Sequence, residues 1–164
     1  MAVERKFETI ENGKAHPGSI FVFSAAELEA WARYKVPMVV PEGVRQPHLQ
    51  LGYGRATADA LVDFVKVREG QGLSTNWLIA KLIEGEKLVR VSATVRSARG
   101  QGTVHLDRVE IGELAVSGET LQIMIRTFFL PLYPNAKIDE PFELADGLDR
   151  IEVAPTQARA IMKR

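Results

Sequence analysis

The sequence predicts an α+β domain: a curved antiparallel sheet of about six strands, made from three hairpins and wrapped around one apolar helix, with two further short helices. Three observations carry that expectation. Segments that alternate apolar and polar residues occur in pairs joined by Gly- or Pro-containing turns, the pattern of antiparallel hairpins. Each pair follows a segment with helix signals, so the order reads α-ββ-α-ββ-α-ββ. The segment 119–133 (ETLQIMIRTFFLPLY) is apolar on most of its circumference. Leu121, Met124, Ile125, Phe128 and Leu132 form one helical stripe, while Ile123, Phe129 and Leu130 lie largely outside it. Such a helix must be covered on more than one side. A bent sheet covers it, whereas a flat one leaves its outer side wet.

Residues 1–19 are expected to be a poorly ordered N-terminal arm, leaving 20–164 as one α+β domain. The first helix starts after Ser24, which with Glu27 forms a capping box. Phe23 and Leu28 have the spacing of a hydrophobic staple, and Leu28, Trp31 and Ala32 make the inner face. This helix should reach about Lys35 and stop before Pro37. His48 to Tyr53 and Ala56 to Val67 then read as a strand pair. On the second strand Ala58, Ala60, Val62 and Phe64 share a face. A second short helix runs from an N-cap at Ser74 to a stop at Gly85, with Trp77, Leu78 and Leu82 inward.

The next pair is the cleanest. Val89, Val91, Ala93 and Val95 alternate with Arg90, Ser92, Thr94 and Arg96. On the return strand Val104 and Leu106 have one parity, Val109 and Ile111 the other, which requires a bulge near Asp107 and Arg108. The apolar helix follows and is stopped by Pro131 and Pro134. Leu148 to Ala154 and Ala158 to Lys163 close the chain around a Pro155-Thr156 turn.

The 164 residues are 46% hydrophobic, too apolar for a disordered chain. Lys plus Arg and Asp plus Glu number 21 each, so the formal charge is zero. That speaks against a nucleic-acid partner, which calls for a basic excess. No stretch reaches the roughly 20 apolar residues that span a bilayer, so no transmembrane segment is expected. There is no cysteine, which excludes disulfides, zinc–thiolate sites, iron–sulfur clusters and thiol nucleophiles. The N-terminal MAVERKFETIENGK has no apolar leader region.

Few residues suggest chemistry. His105 and Asp107 share a strand face with Thr103, as a general-base couple or a pair of metal ligands would. With no third ligand or nucleophile at a motif spacing, a plain polar strand face is preferred. Asp59 and Asp63 are read in the same way, as flanking Leu61 on a partly wet face. Arg96, Arg99 and Arg108 suggest a basic rim, with weak capacity for an anionic headgroup. Glycine pairs at 52/54, 70/72 and 100/102 read as turns and match no phosphate-binding loop. No catalytic residue, metal ligand or cofactor is assigned, and the chain is expected not to be an enzyme.

Four stretches carry a family likeness: SAAELEAW, VSATVRSARGQGTVHLDRVEIGELAVSG, TLQIMIRTFFLPLYP and PFELADGLDRIEVAPTQARAIM. Together they resemble the bacterial LmeA-like group, related to tubular lipid-binding domains. In that group a hairpin with a Gly-containing loop precedes an apolar helix and a Pro-Phe-x-Leu strand, matched here by Pro141 to Leu144 and Gly147 to Val153. The likeness implies a curved sheet around a helix, an apolar cleft for acyl chains and a periplasmic or envelope-side location. That location requires a leader removed ahead of Met1; without one the protein is cytoplasmic. The leading expectation is therefore non-enzymatic binding of a lipid, fatty acid or other amphiphile between the sheet and helix 119–130. Val62, Phe64, Met124, Phe128, Phe129 and Leu132 are its expected lining, since Met and Phe suit an adaptable apolar pocket. The alternative is a protein-interaction or homodimerisation module with a filled core, docking through Ile123, Leu130 and Tyr133.

Overall fold

The computed structural model describes residues 2–39, 43–66, 84–131 and 133–164; the Phe128 side chain is also outside the description. The elements are α1 (Ala2–Glu11), β1 (Ile20–Ser24), α2 (Ala25–Val39), β2 (Val44–Gly52), β3 (Arg55–Asp63), β4 (Glu86–Ala98), β5 (Gln101–Ile111) and β6 (Leu114–Ser117). Then come α3 (Gly118–Met124), a π-helical continuation (Ile125–Phe129), β7 (Phe142–Glu143), β8 (Leu148–Ala154) and β9 (Gln157–Met162). The expected helix from Ser74 lies outside the described residues up to 83.

The chain is α+β with an antiparallel sheet, as the alternation predicted. Six strands form one sheet, in the order β2-β3-β4-β5-β6 with the short β7 paired to β5. The C-terminal hairpin β8-β9 does not join it. It forms a three-stranded sheet with β1, in the order β1-β9-β8. The bulge expected near Asp107 is present: the β4–β5 register slips between Ser92 and Ala93, opposite Asp107. In the β4–β5 turn both Arg99 (φ 54°) and Gly100 (φ 78°) are left-handed, as a two-residue type I′ hairpin turn requires.

The hairpin ends of the large sheet dock on β8, the edge strand of the small one. Ser97 Oγ donates to the Ile151 carbonyl (2.9 Å) and accepts from the Ile151 N–H (2.7 Å). Gly54 N–H donates to the Val153 carbonyl (2.9 Å) and Gly100 N–H to that of Asp149 (2.7 Å). Gly102 is buried under β7, and a Cβ there would stand 2.9 Å from Phe142 Cζ, so glycine is what lets the Phe142 ring lie on the strand.

The main core sits on the small sheet. Val3, Ile10, Phe23, Leu148, Ala160 and Met162 are buried together, with Phe7, Leu28 and Trp31 packed against them. Residues 2–11 are therefore helix α1, not the poorly ordered arm expected within 1–19. Val3, Phe7 and Ile10 have helical spacing and cover β1, and Phe7 stacks on Phe23 at 4.8 Å between centroids. A second difference is that α2 continues through Pro37 to Val39. Pro37 has no N–H, so the Arg33 carbonyl forgoes its helical bond; one lost bond late in an exposed helix does not end it.

The capping box is formed as predicted. Glu27 N–H donates to Ser24 Oγ (3.1 Å), and Ser24 N–H donates to Glu27 Oε2 (2.8 Å). Lys6 Nζ on α1 donates to Glu27 Oε1 (2.9 Å), tying α1 to α2. The Lys6 bond first, then the Ser24 N–H, holds the Glu27 carboxyl below its ordinary pKa. A lowered folded-state pKa stabilises above the unfolded value and is lost as pH falls through the folded one. Wild type should therefore exceed Glu27→Gln in stability at neutral pH, and the gap should close below about pH 4. Urea melts at pH 7 and pH 3 check this; a gap independent of pH would remove the carboxylate from the account.

Candidate functional site

Cross-strand partners share a sheet face, so the register identifies two contrasting surfaces. The pairs Leu49–Ala58, Ala58–Val91, Val91–Val109 and Val109–Val116 draw one apolar row straight across β2 to β6. A parallel row runs Leu51–Ala56–Ala93–Leu106, and another Ala60–Val89–Ile111–Leu114. This face is apolar over five strands, yet of these residues only Val116 is buried.

Its two ends are covered differently. On the β5–β6 side, Leu121 and Ile125 of the apolar helix are buried against Val116, with Leu106, Val109, Met124, Leu130 and Ile138 around them. At the hairpin tips, the small sheet docks through Ser97 and Phe142 covers Gly102. Between these covers Leu49 and Val91 are half-buried, and Ala58 on β3 is exposed although β3 has neighbours on both edges.

The six expected lining residues separate. Val62 is on this apolar face, half-buried beside Val44 and Lys87. Met124 packs against the buried cluster of Val116, Leu121 and Ile125, as Leu106 and Val109 of this face also do. Phe129 is 38% exposed and lies against Tyr133 at 5.0 Å, outside that cluster. Phe64 is not on a strand. β3 ends at Asp63, whose Oδ1 accepts from Lys66 N–H (3.1 Å) and starts a helical turn at 64–66. The Phe128 side chain and Leu132 lie outside the described residues. Val62 and Met124 thus lie at separate places, Val62 beside Val44 and Lys87 and Met124 at the Val116 cluster. Sequence reading saw the alternation strand by strand but missed the continuous row, which only the register creates.

The opposite face is polar. Arg55–Thr94, Thr94–His105 and Arg96–Thr103 are cross-strand neighbours there. They line an open cleft of about 490 Å³ with Asp107 and Asp139. Here sequence reading missed a partner. His105 Nδ1 is hydrogen-bonded to Asp139 Oδ1, contributed by the segment after the apolar helix. Gln122 Nε2 donates to Asp139 Oδ2 (3.2 Å), and Asp139 N–H donates to the Val104 carbonyl (2.9 Å). Asp139 is left-handed (φ 61°), which Asp tolerates better than most residues. The bulge turns Asp107 so that Oδ2 accepts from Thr94 Oγ1 (2.8 Å), while its Oδ1 stands 3.9 Å from His105 Nε2. Among the described residues no three His, Asp or Glu side chains converge as metal ligands.

The other residues singled out do not form sites. Asp59 pairs in register with His48 and Arg90, while Asp63 begins the turn at 64–66. Arg108 bonds Glu110 (3.3 Å), whereas Arg99 is in the hairpin turn and Arg96 is in the polar cleft, so the three arginines make no common patch. A second cleft, of about 500 Å³, is lined by Asp149, Arg150, Glu152 and Arg159. These four pair with one another: Arg150 donates to Asp149 (2.8 Å) and Glu152 (3.0 Å), and Arg159 to Glu152. Those bonds, with Asp149 the larger contributor, raise the Arg150 pKa, and the Arg150 bond leads in lowering that of Glu152.

No helix among the described residues is long and apolar enough to cross a membrane. No known family, curated protein or solved structure matches the chain.

Proposed function

We propose that the protein is a non-enzymatic binder of a lipid or other amphiphile, whose acyl chain lies on the apolar face of the six-stranded sheet beside the apolar helix. The observation that carries the reading is the apolar row across β2 to β6, left half-covered at Leu49 and Val91 and exposed at Ala58. Apolar surface left wet forgoes about 25 cal/mol per Å². An acyl chain lying along the row recovers part of that cost. The resemblance to the LmeA-like group supports the same class of ligand.

Ala58 offers a clean test because its side chain is already exposed, so a polar substitute there disturbs no packing. A fluorescent fatty acid should bind the wild type saturably, and Ala58→Glu should weaken binding at least tenfold with an unchanged melting curve. Native mass spectrometry of protein purified from cells should show co-purifying lipid. Absence of both lipid and probe uptake would sink the proposal.

A second reading is favoured by a separate observation: Ile123 (51%) and Phe129 (38%) are exposed apolar side chains on the helix and its continuation. Docking of this side on a partner or a second copy would cover them. Concentration-dependent dimerisation that Ile123→Glu abolishes would select this reading.

A further inference from the structure

The polar face carries a site that the amphiphile reading does not use. We propose that the cleft over β3, β4 and β5 binds a small oxyanion, the phosphate or carboxylate group of a polar ligand, held between Arg55 and Arg96. The inference rests on which charges in the cleft are already engaged. The two carboxylates are: Asp139 receives His105 and Gln122, and Asp107 receives Thr94. The two guanidiniums are not. Among the described residues neither Arg55 nor Arg96 has a hydrogen-bond or ion-pair partner. The groups of the cleft left without a partner are therefore its two guanidiniums, beside carboxylates that already hold hydrogen bonds.

The backbone places these groups for convergence. Arg55 is the cross-strand partner of Thr94, and Arg96 lies two residues beyond Thr94 on the same face. Such diagonal neighbours stand about 7–8 Å apart, within reach of two long side chains closing on one anion. Guanidinium groups present paired donors that match the geometry of phosphate and carboxylate oxygens. Thr103, beside Arg96 in register, adds a hydroxyl donor. His105 is fixed by Asp139 at Nδ1, and its Nε2 is 3.9 Å from Asp107, beyond hydrogen-bond length, so the ring edges the cleft without closing it. The volume of about 490 Å³ suits a small molecule.

The test is a titration of the whole protein with inorganic phosphate, and separately with acetate, followed by amide NMR. Sodium chloride at matched ionic strength is the reference. Saturable shifts at Arg55, Arg96, Thr103 and His105 are expected. Arg55→Gln and Arg96→Gln should each weaken binding about tenfold or more, while Arg126→Gln on the helix should not. Saturation by phosphate alone identifies a phosphoryl ligand, and saturation by acetate as well extends the class to carboxylates. Shifts that chloride reproduces, or that persist unchanged in both cleft variants, would overturn the proposal. Because the wild-type titration needs no variant to fold, it decides the matter by itself if neither anion saturates.

Discussion

Phe23→Ala is expected to lower the unfolding free energy by about 3–5 kcal/mol, the largest loss of any single truncation considered. Phe23 is 3% exposed and sits where α1, β1 and β9 meet. Its ring stacks on Phe7, and Lys6 Nζ stands 5.3 Å above it. Truncation removes the ring's transfer free energy and leaves a cavity between two elements that cannot both close on it. Domains of this size are stable by about 5–15 kcal/mol, so the variant should sit near the edge of folding. Urea denaturation with matched slopes measures the loss. A change under about 1 kcal/mol would mean that α1 does not pack over β1, because an exposed ring costs little to remove.

The second large effect contrasts two positions on the apolar helix. Leu121→Ala should cost about 2–5 kcal/mol, while Ile123→Ala should fall within about 0.5 kcal/mol of wild type. Leu121 is 2% exposed, held with Ile125 against Val116; Ile123, two residues on, is 51% exposed. Two residues advance a helix by about 200°, which turns one side chain to the sheet and the next to solvent. Thermal melts of the pair decide it. Equal losses would mean that the helix is enclosed all round, which would remove the exposed side from the partner-docking reading.

Much of the fold was legible. The Ser24–Glu27 capping box, the β4–β5 hairpin with its bulge at Asp107, and the Pro155-Thr156 turn all depend on residues close in sequence. β1 was missed because IFVFS is five residues long and runs into a helix cap without alternation. Helix α1 was missed although Val3, Phe7 and Ile10 carry its period, since charged neighbours masked the stripe. Phe64 continues the parity of Val62 and so reads as strand; the Asp63 side chain accepting from Lys66 N–H breaks that pattern. The candidate sites were less legible still. His105 was recognised, but with Asp107 as its partner, whereas its direct hydrogen bond is to Asp139, 34 residues away.

By itself, the sequence determined the Ser24–Glu27 cap, the alternation and bulge of the β4–β5 hairpin and the Pro155-Thr156 turn, because these follow from interactions within a few residues. Only the tertiary structure decided that the last hairpin leaves the large sheet for β1, that the apolar rows align across five strands, and that Ala58 stays uncovered between them. It also decided which carboxylate meets His105 and which arginines are left without one. Those outcomes depend on contacts between residues far apart in the chain, where alternative pairings bury similar apolar area and only the assembled register selects among them.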